Sequence, residues 1–242
     1  MIGFFNIILF QPLYNALVWL SGVMPGHSIA LAIIVLTVII KTLLTPLYHK
    51  SSKTQRKLKE IEPELSKLKE QHKEDKQLQA QKMMELYREH GINPLTGFMV
   101  LLIQLPIILA LFYVFSKGFE LNLDILYPFV SSPEVVDRTV FGWILLTEKS
   151  YWLALLVGLT QYVQIRLTLP PLPQRLPKSD TPSFKEDLAR SMNMQMRYVM
   201  PVIITVIASQ FPSAVALYWL TGNLFAIGHE LIVRGKAKKL VV

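Results

Sequence analysis

Few residues in this chain could carry out ordinary enzymatic chemistry. It has no cysteine, so thiol catalysis and a disulfide framework are both excluded. Its five histidines (His27, His49, His72, His90 and His229) are scattered without metal-ligand spacing, and phosphate-cradling glycine motifs are absent. What stands out is a charge in an apolar setting. Residues 28–48 are almost entirely apolar, yet Lys41 lies among them, with Thr37 and Thr45 four residues to either side. About 20 apolar residues cross a bilayer core. A lysine at the centre of such a helix costs roughly 2.5–3.5 kcal/mol on insertion scales, so something must compensate for it. Residues four apart share one helical face. The chemistry to expect is attraction and hydrogen bonding inside a membrane, by a protein that is not an enzyme and needs no cofactor or metal.

The elements that would position this face follow from where the apolar residues lie. The chain is 52% hydrophobic and 17% charged, with a net charge of +8. Its apolar residues collect in long blocks separated by charged segments, which places it among polytopic membrane proteins. The basic excess then reads as membrane topology and anionic lipid contact before it reads as nucleic-acid binding. Five spans are expected at about 28–48, 94–116, 150–169, 196–211 and 213–233. Residues 1–24 carry no lysine or arginine and are interrupted by Asn6, Gln11, Pro12 and Asn15. They are read as an interfacial helix on the outer leaflet, with an extra span as the competing reading.

Residues 49–93 hold eleven basic and eight acidic side chains. Leu58, Ile61, Leu65 and Leu68 recur at helical spacing, Pro63 kinks or restarts the helix, and 71–76 make a turn into a second helix ending at Gly91. This is a charged helical hairpin in water. The proline-rich segment 170–193 reads as a loop and 234–242 as a basic tail. Lysine and arginine counts put the hairpin, that loop and the tail in the cytoplasm and the N-terminus outside.

With this orientation several polar residues fall in the inner halves of the spans. Lys41 lies roughly 10 Å from the end of its span at 1.5 Å per residue. Gln161 and Gln164 line one face of the third span, Thr205 lies in the fourth, Trp219 and Asn223 share a face of the fifth, and Gln104 lies in the second. Such agreement in depth suits a hydrophilic groove open to the cytoplasm. Each residue also has a plainer reading, since lysines snorkel and glutamines join helices.

The segments YREHGINPLTGFMVLLIQLPIILALFYVF at 87–115, YVQIRL at 162–167 and MPVIITVIASQFPSAVALYWLTGNL at 200–224, in this order, resemble the YidC family of membrane protein insertases, whose relatives also work in mitochondria and thylakoids. The segment at 87–115 looks like the family's hairpin end and second span. The segment at 200–224 looks like its last two spans, and the one at 162–167 like its third. A first span followed by a charged hairpin containing Glu62-Pro63 is also similar. Residues before the first span are too few for the large periplasmic domain of some relatives, so a short bacterial form is expected.

The resemblance implies an all-α membrane protein of the bacterial inner membrane, with five transmembrane helices around a groove open to cytoplasm and lipid. Lys41 matches a groove position usually occupied by arginine, Gln164 a groove glutamine and Trp219 a groove aromatic. Lysine keeps the charge but lacks arginine's planar fork. The implied partners are nascent membrane proteins and the lipid bilayer, with the ribosome, the signal-recognition-particle receptor and the Sec translocon as further candidates. Two rivals stand beside insertion: an assembly chaperone working only beside the translocon, and a small ion or solute transporter.

Overall fold

A computed structural model describes residues 6–72, 74–93, 95–116, 125–131, 133, 135–140, 142–168, 191 and 194–239. Most of the expected loop at 170–193, part of the loop after the second expected span, and the first five and last three residues lie outside the described residues. The described chain is mostly helical and divides into two compact units, residues 1–41 with 110–242, and residues 42–109.

In the first unit, a π-helical turn Asn6–Phe10 leads into α1 (Gln11–Val23), with Pro12 in the first turn, where its missing N–H is not needed. Gly26, at φ 65°, makes the turn that follows. α2 (Ile29–Glu60) then runs without a break through Pro46, so the first expected span and the start of the hairpin are one helix. Together, the π turn and α1 (Asn6–Val23) and the stretch Ile29–Ser51 are long and apolar enough to cross a membrane.

Asn15, in the second turn of α1 and at the middle of the stretch Asn6–Val23, ties the helix to the segment that starts at residue 125. Asn15 is 2% exposed. Its Nδ2 donates to the Ile125 carbonyl at 3.0 Å, and its Oδ1 accepts from the Tyr127 N–H at 2.6 Å. Two short strands, β1 (Thr139–Val140) and β2 (Ile144–Leu145), pair antiparallel across a turn at Gly142. Just before β1, Asp137 bridges to the residues that open α2: its carbonyl accepts from the Ile29 N–H and its N–H donates to His27.

After α6 (Tyr151–Thr168), a second π-helical turn, Gln195–Val199, continues into α7 (Met200–Ala208). α8 (Ser213–Lys239) is longer than the fifth expected span and takes in residues 234–239 of the expected tail. Lysine and alanine at its end favour helix, and Arg234 pairs with Glu230 one turn earlier at 2.9 Å. The start of α8 is completed by the segment before α6. The Ser213 N–H and hydroxyl both donate to the Glu148 carbonyl (2.7 and 2.6 Å), and the Ala214 N–H donates to the Leu146 carbonyl at 3.0 Å.

The second unit contains the hairpin. Pro63 does not kink α2; it lies in the first turn of a new helix, α3 (Glu62–Gln71). α4 (Lys76–Glu89) begins where the Asp75 carboxylate accepts the N–H groups of Gln77 and Leu78. Its end turns back at Gly91, φ 61°, where the Ile92 N–H reaches the Tyr87 carbonyl. Ile61, Leu86 and Ile92 form a small buried core, flanked by Leu58, Leu65, Leu68 and Tyr87. Lys57 closes it by donating to the His90 carbonyl at 3.0 Å. α5 (Leu95–Ser116) follows, carrying Pro106 in its interior.

Candidate functional site

Seven of the nine expected groove residues belong to the first unit: Thr37, Lys41, Gln161, Gln164, Thr205, Trp219 and Asn223. Thr45 and Gln104 belong to the second, where the Tyr48 hydroxyl donates to Gln104 Oε1 at 3.2 Å and Thr45 is half-buried.

Within the first unit, Lys41 and α8 are brought together. The methylene end of the half-buried Lys41 side chain lies against the buried Gly222, so that a Cβ built on that glycine would stand 3.1 Å from Lys41 Cε and 3.6 Å from Nζ. The next residue on α8, Asn223, is 4% exposed. Its Nδ2 donates across to α6, to the Val157 carbonyl at 3.3 Å and the Thr160 hydroxyl at 3.2 Å. An amide placed this way ties α8 to α6.

The remaining candidates are spread around this pair. Trp219 is half-buried one turn before Asn223 on α8. Gln161 and Gln164 are half-buried on α6, beside Thr160 in sequence. Thr37 is 1% exposed, and its hydroxyl donates to the Ile33 carbonyl of its own helix at 2.6 Å. Thr205 likewise donates within α7, to Pro201 at 2.8 Å, and it packs on α6 where a Cβ on Gly158 would come within 1.8 Å of its hydroxyl oxygen.

Three contributors were not singled out from the sequence. Thr160 lies four residues before Gln164, and that spacing was the available signal. Gly222 gave none, because a glycine's use appears only when its neighbour is known. Arg234, within α8, links that helix to the end of α6, donating through Nε to Glu230 and through Nη2 to the Leu167 carbonyl. Glu230, 14% exposed at its side chain, is thereby an ion-pair partner.

Known proteins share this chain's sequence over nearly its whole length. Residues 19–239 match the sequence profile of the family described as "60Kd inner membrane protein". A protein of Oceanobacillus iheyensis named "Membrane protein insertase YidC" is 31% identical over 96% of this chain and 84% of its own length. One of the same name from Fusobacterium nucleatum is 34% identical, over 86% of this chain and 87% of its own. The chain belongs to the YidC family of membrane protein insertases. A third YidC, from Pelobacter propionicus, is 31% identical over 96% of this chain, which covers only 39% of that longer protein. The resemblance read from the motifs at 87–115, 162–167 and 200–224 therefore holds, and all three segments fall inside the matched region. So do Lys41, Gln164 and Trp219, the positions that the YidC resemblance marks in the groove.

Proposed function

We propose that this protein inserts small membrane proteins from the cytoplasm into the lipid bilayer, through a hydrophilic groove between five membrane helices in which Lys41 holds a positive charge. The observation that carries the reading is the match to insertases from residue 19 to residue 239. A substrate with a short acidic translocated segment enters from the cytoplasm. Lys41 attracts that segment, and Gln161, Gln164, Thr37, Thr45, Gln104, Thr205, Trp219 and Asn223 line its path with polar and aromatic groups. This shortens the apolar distance a polar segment must cross. The substrate's apolar part then leaves into lipid. The driving energy is the burial of that apolar part, aided by the membrane potential, worth about 2.3 kcal/mol per charge per 100 mV.

The charged hairpin receives substrates and targeting factors on the cytoplasmic side of the inner membrane, where the ribosome, the signal-recognition-particle receptor and the Sec translocon would be met. α1 lies on the outer leaflet. The midpoint of the apolar stretch Asn6–Val23 is bonded through Asn15 to Ile125 and Tyr127, in the loop that charge counting puts outside, and a spanning stretch would have its midpoint at the bilayer centre.

The test is the purified protein in liposomes. A small single-span substrate is expected to become protease-protected without any other factor; failure would leave assembly beside a translocon as the surviving role. Lys41→Ala is expected to slow insertion of an acidic-tailed substrate, and Lys41→Arg to preserve it. Equal rates for Lys41→Ala and the unaltered protein would remove the charge from the mechanism.

A further inference from the structure

We propose that Gly222 is the positioning residue for Lys41: by lacking a side chain it gives the lysine stem its seat on α8, and so fixes where the groove's positive charge is held. This rests on the reading of Lys41 given above. The close approach is the first support. A Cβ at position 222 would lie 3.1 Å from Lys41 Cε, whereas carbon atoms in contact prefer about 3.5–4.0 Å. An alanine would therefore shift the end of the lysine by a few tenths of an ångström. The second support is that α8 is not free to move away instead. Asn223, the adjoining residue, is bonded to both Val157 and Thr160 of α6. The flexible lysine must give way.

Gly228 supplies the contrast. It lies on the same helix, and a Cβ there would meet nothing within 4 Å. A glycine inside a helix is less favourable than an alanine. At 228 no contact offsets that cost, while at 222 it makes room for a charged side chain in the membrane.

The test uses the full-length protein in lipid nanodiscs and in liposomes. Lysines are labelled by reductive methylation with 13C-formaldehyde, and the Lys41 resonance is assigned by its loss in Lys41→Arg. Gly222→Ala is expected to move that resonance and to slow insertion of an acidic-tailed single-span substrate several-fold. A neutral-tailed substrate should insert at the unaltered rate, and Gly228→Ala should change neither reading. In the Lys41→Ala background, Gly222→Ala should slow nothing further. An unmoved Lys41 resonance in folded Gly222→Ala, equal slowing of both substrates, or added slowing on top of Lys41→Ala each overturns the proposal. Should Gly222→Ala fail to fold, adding Lys41→Ala must restore folding, because the displaced stem is gone; no recovery overturns it. If the resonance moves but Lys41→Ala treats both substrates alike, the seat stands and the electrostatic role of Lys41 falls.

Discussion

In the hairpin, Ile61, Leu86 and Ile92 are buried together while charged side chains cover the outside. Between α6, α7 and α8, small and polar residues join buried apolar ones such as Val157 and Leu217: Gly158 lies against Thr205, and Asn223 against Thr160. On the proposed reading, with the hairpin in the cytoplasm and α6 to α8 in the bilayer, water makes the difference. A hairpin in water gains from every apolar atom it hides, so three large side chains and their neighbours suffice to close it. Helices in lipid gain nothing from hiding apolar surface, so they depend on close backbone approach and on polar groups that would otherwise go unsatisfied. On the proposed function, stability and insertion would draw on the same few polar residues in the first unit, and on different residues in the second.

That contrast can be broken or sharpened at several points. The largest expected effect is functional. Deleting residues 55–88 should abolish insertion while the apolar helices remain in the membrane, read by alkaline extraction and the liposome assay; retained insertion would make the hairpin dispensable. Leu86→Ala should next destabilise the hairpin by about 2–5 kcal/mol, the range for large-to-small changes in a packed core. Hydrogen exchange of α3 and α4 would rise, with α6 to α8 unchanged.

Gly158→Ala should cost about 1–3 kcal/mol by overpacking, seen as a lowered unfolding temperature in detergent. Thr205→Ala in the same chain should return part of it, since the atom that a Cβ would meet at 1.8 Å is the Thr205 hydroxyl.

The smallest effect is at Lys82 and Glu85, exposed and 2.7 Å apart. The bond from Lys82 holds the Glu85 carboxyl below its ordinary range, and the same bond raises the Lys82 ammonium. The carboxyl's contribution is present at neutral pH and lost as pH falls through its folded-state value. The ammonium's is lost as pH rises through its own. Glu85→Gln should change exchange in α4 only slightly at neutral pH, and not at all in acid.

The sequence was most informative where water sets the pattern. Leu58, Ile61, Leu65 and Leu68 show the hairpin seam by spacing alone, and all four pack at its core. The break at Pro63 was visible too, though whether it kinked or restarted the helix was left to the structure. The first span was expected to run through Pro46, and it does; that the same helix goes on past residue 48 to Glu60 was not legible, because the change from apolar to charged residues marks a change of surroundings without signalling whether the helix stops. β1 and β2 are two residues each, too short to show an alternating pattern. Asn223 was visible as a polar group at the right depth, but its partners on α6 were not, since a helical period places a residue on a face without saying what that face meets.

The start of α8 has a consequence for how the chain is built. Its first N–H groups are received by Glu148 and Leu146, which lie 65 or more residues earlier in the sequence. During synthesis these acceptors have emerged and had time to settle long before Ser213 leaves the ribosome. The last helix therefore arrives at a prepared berth, and the order of translation becomes the order of assembly. A circular permutant that made α8 first would have to hold those donors unsatisfied until the end.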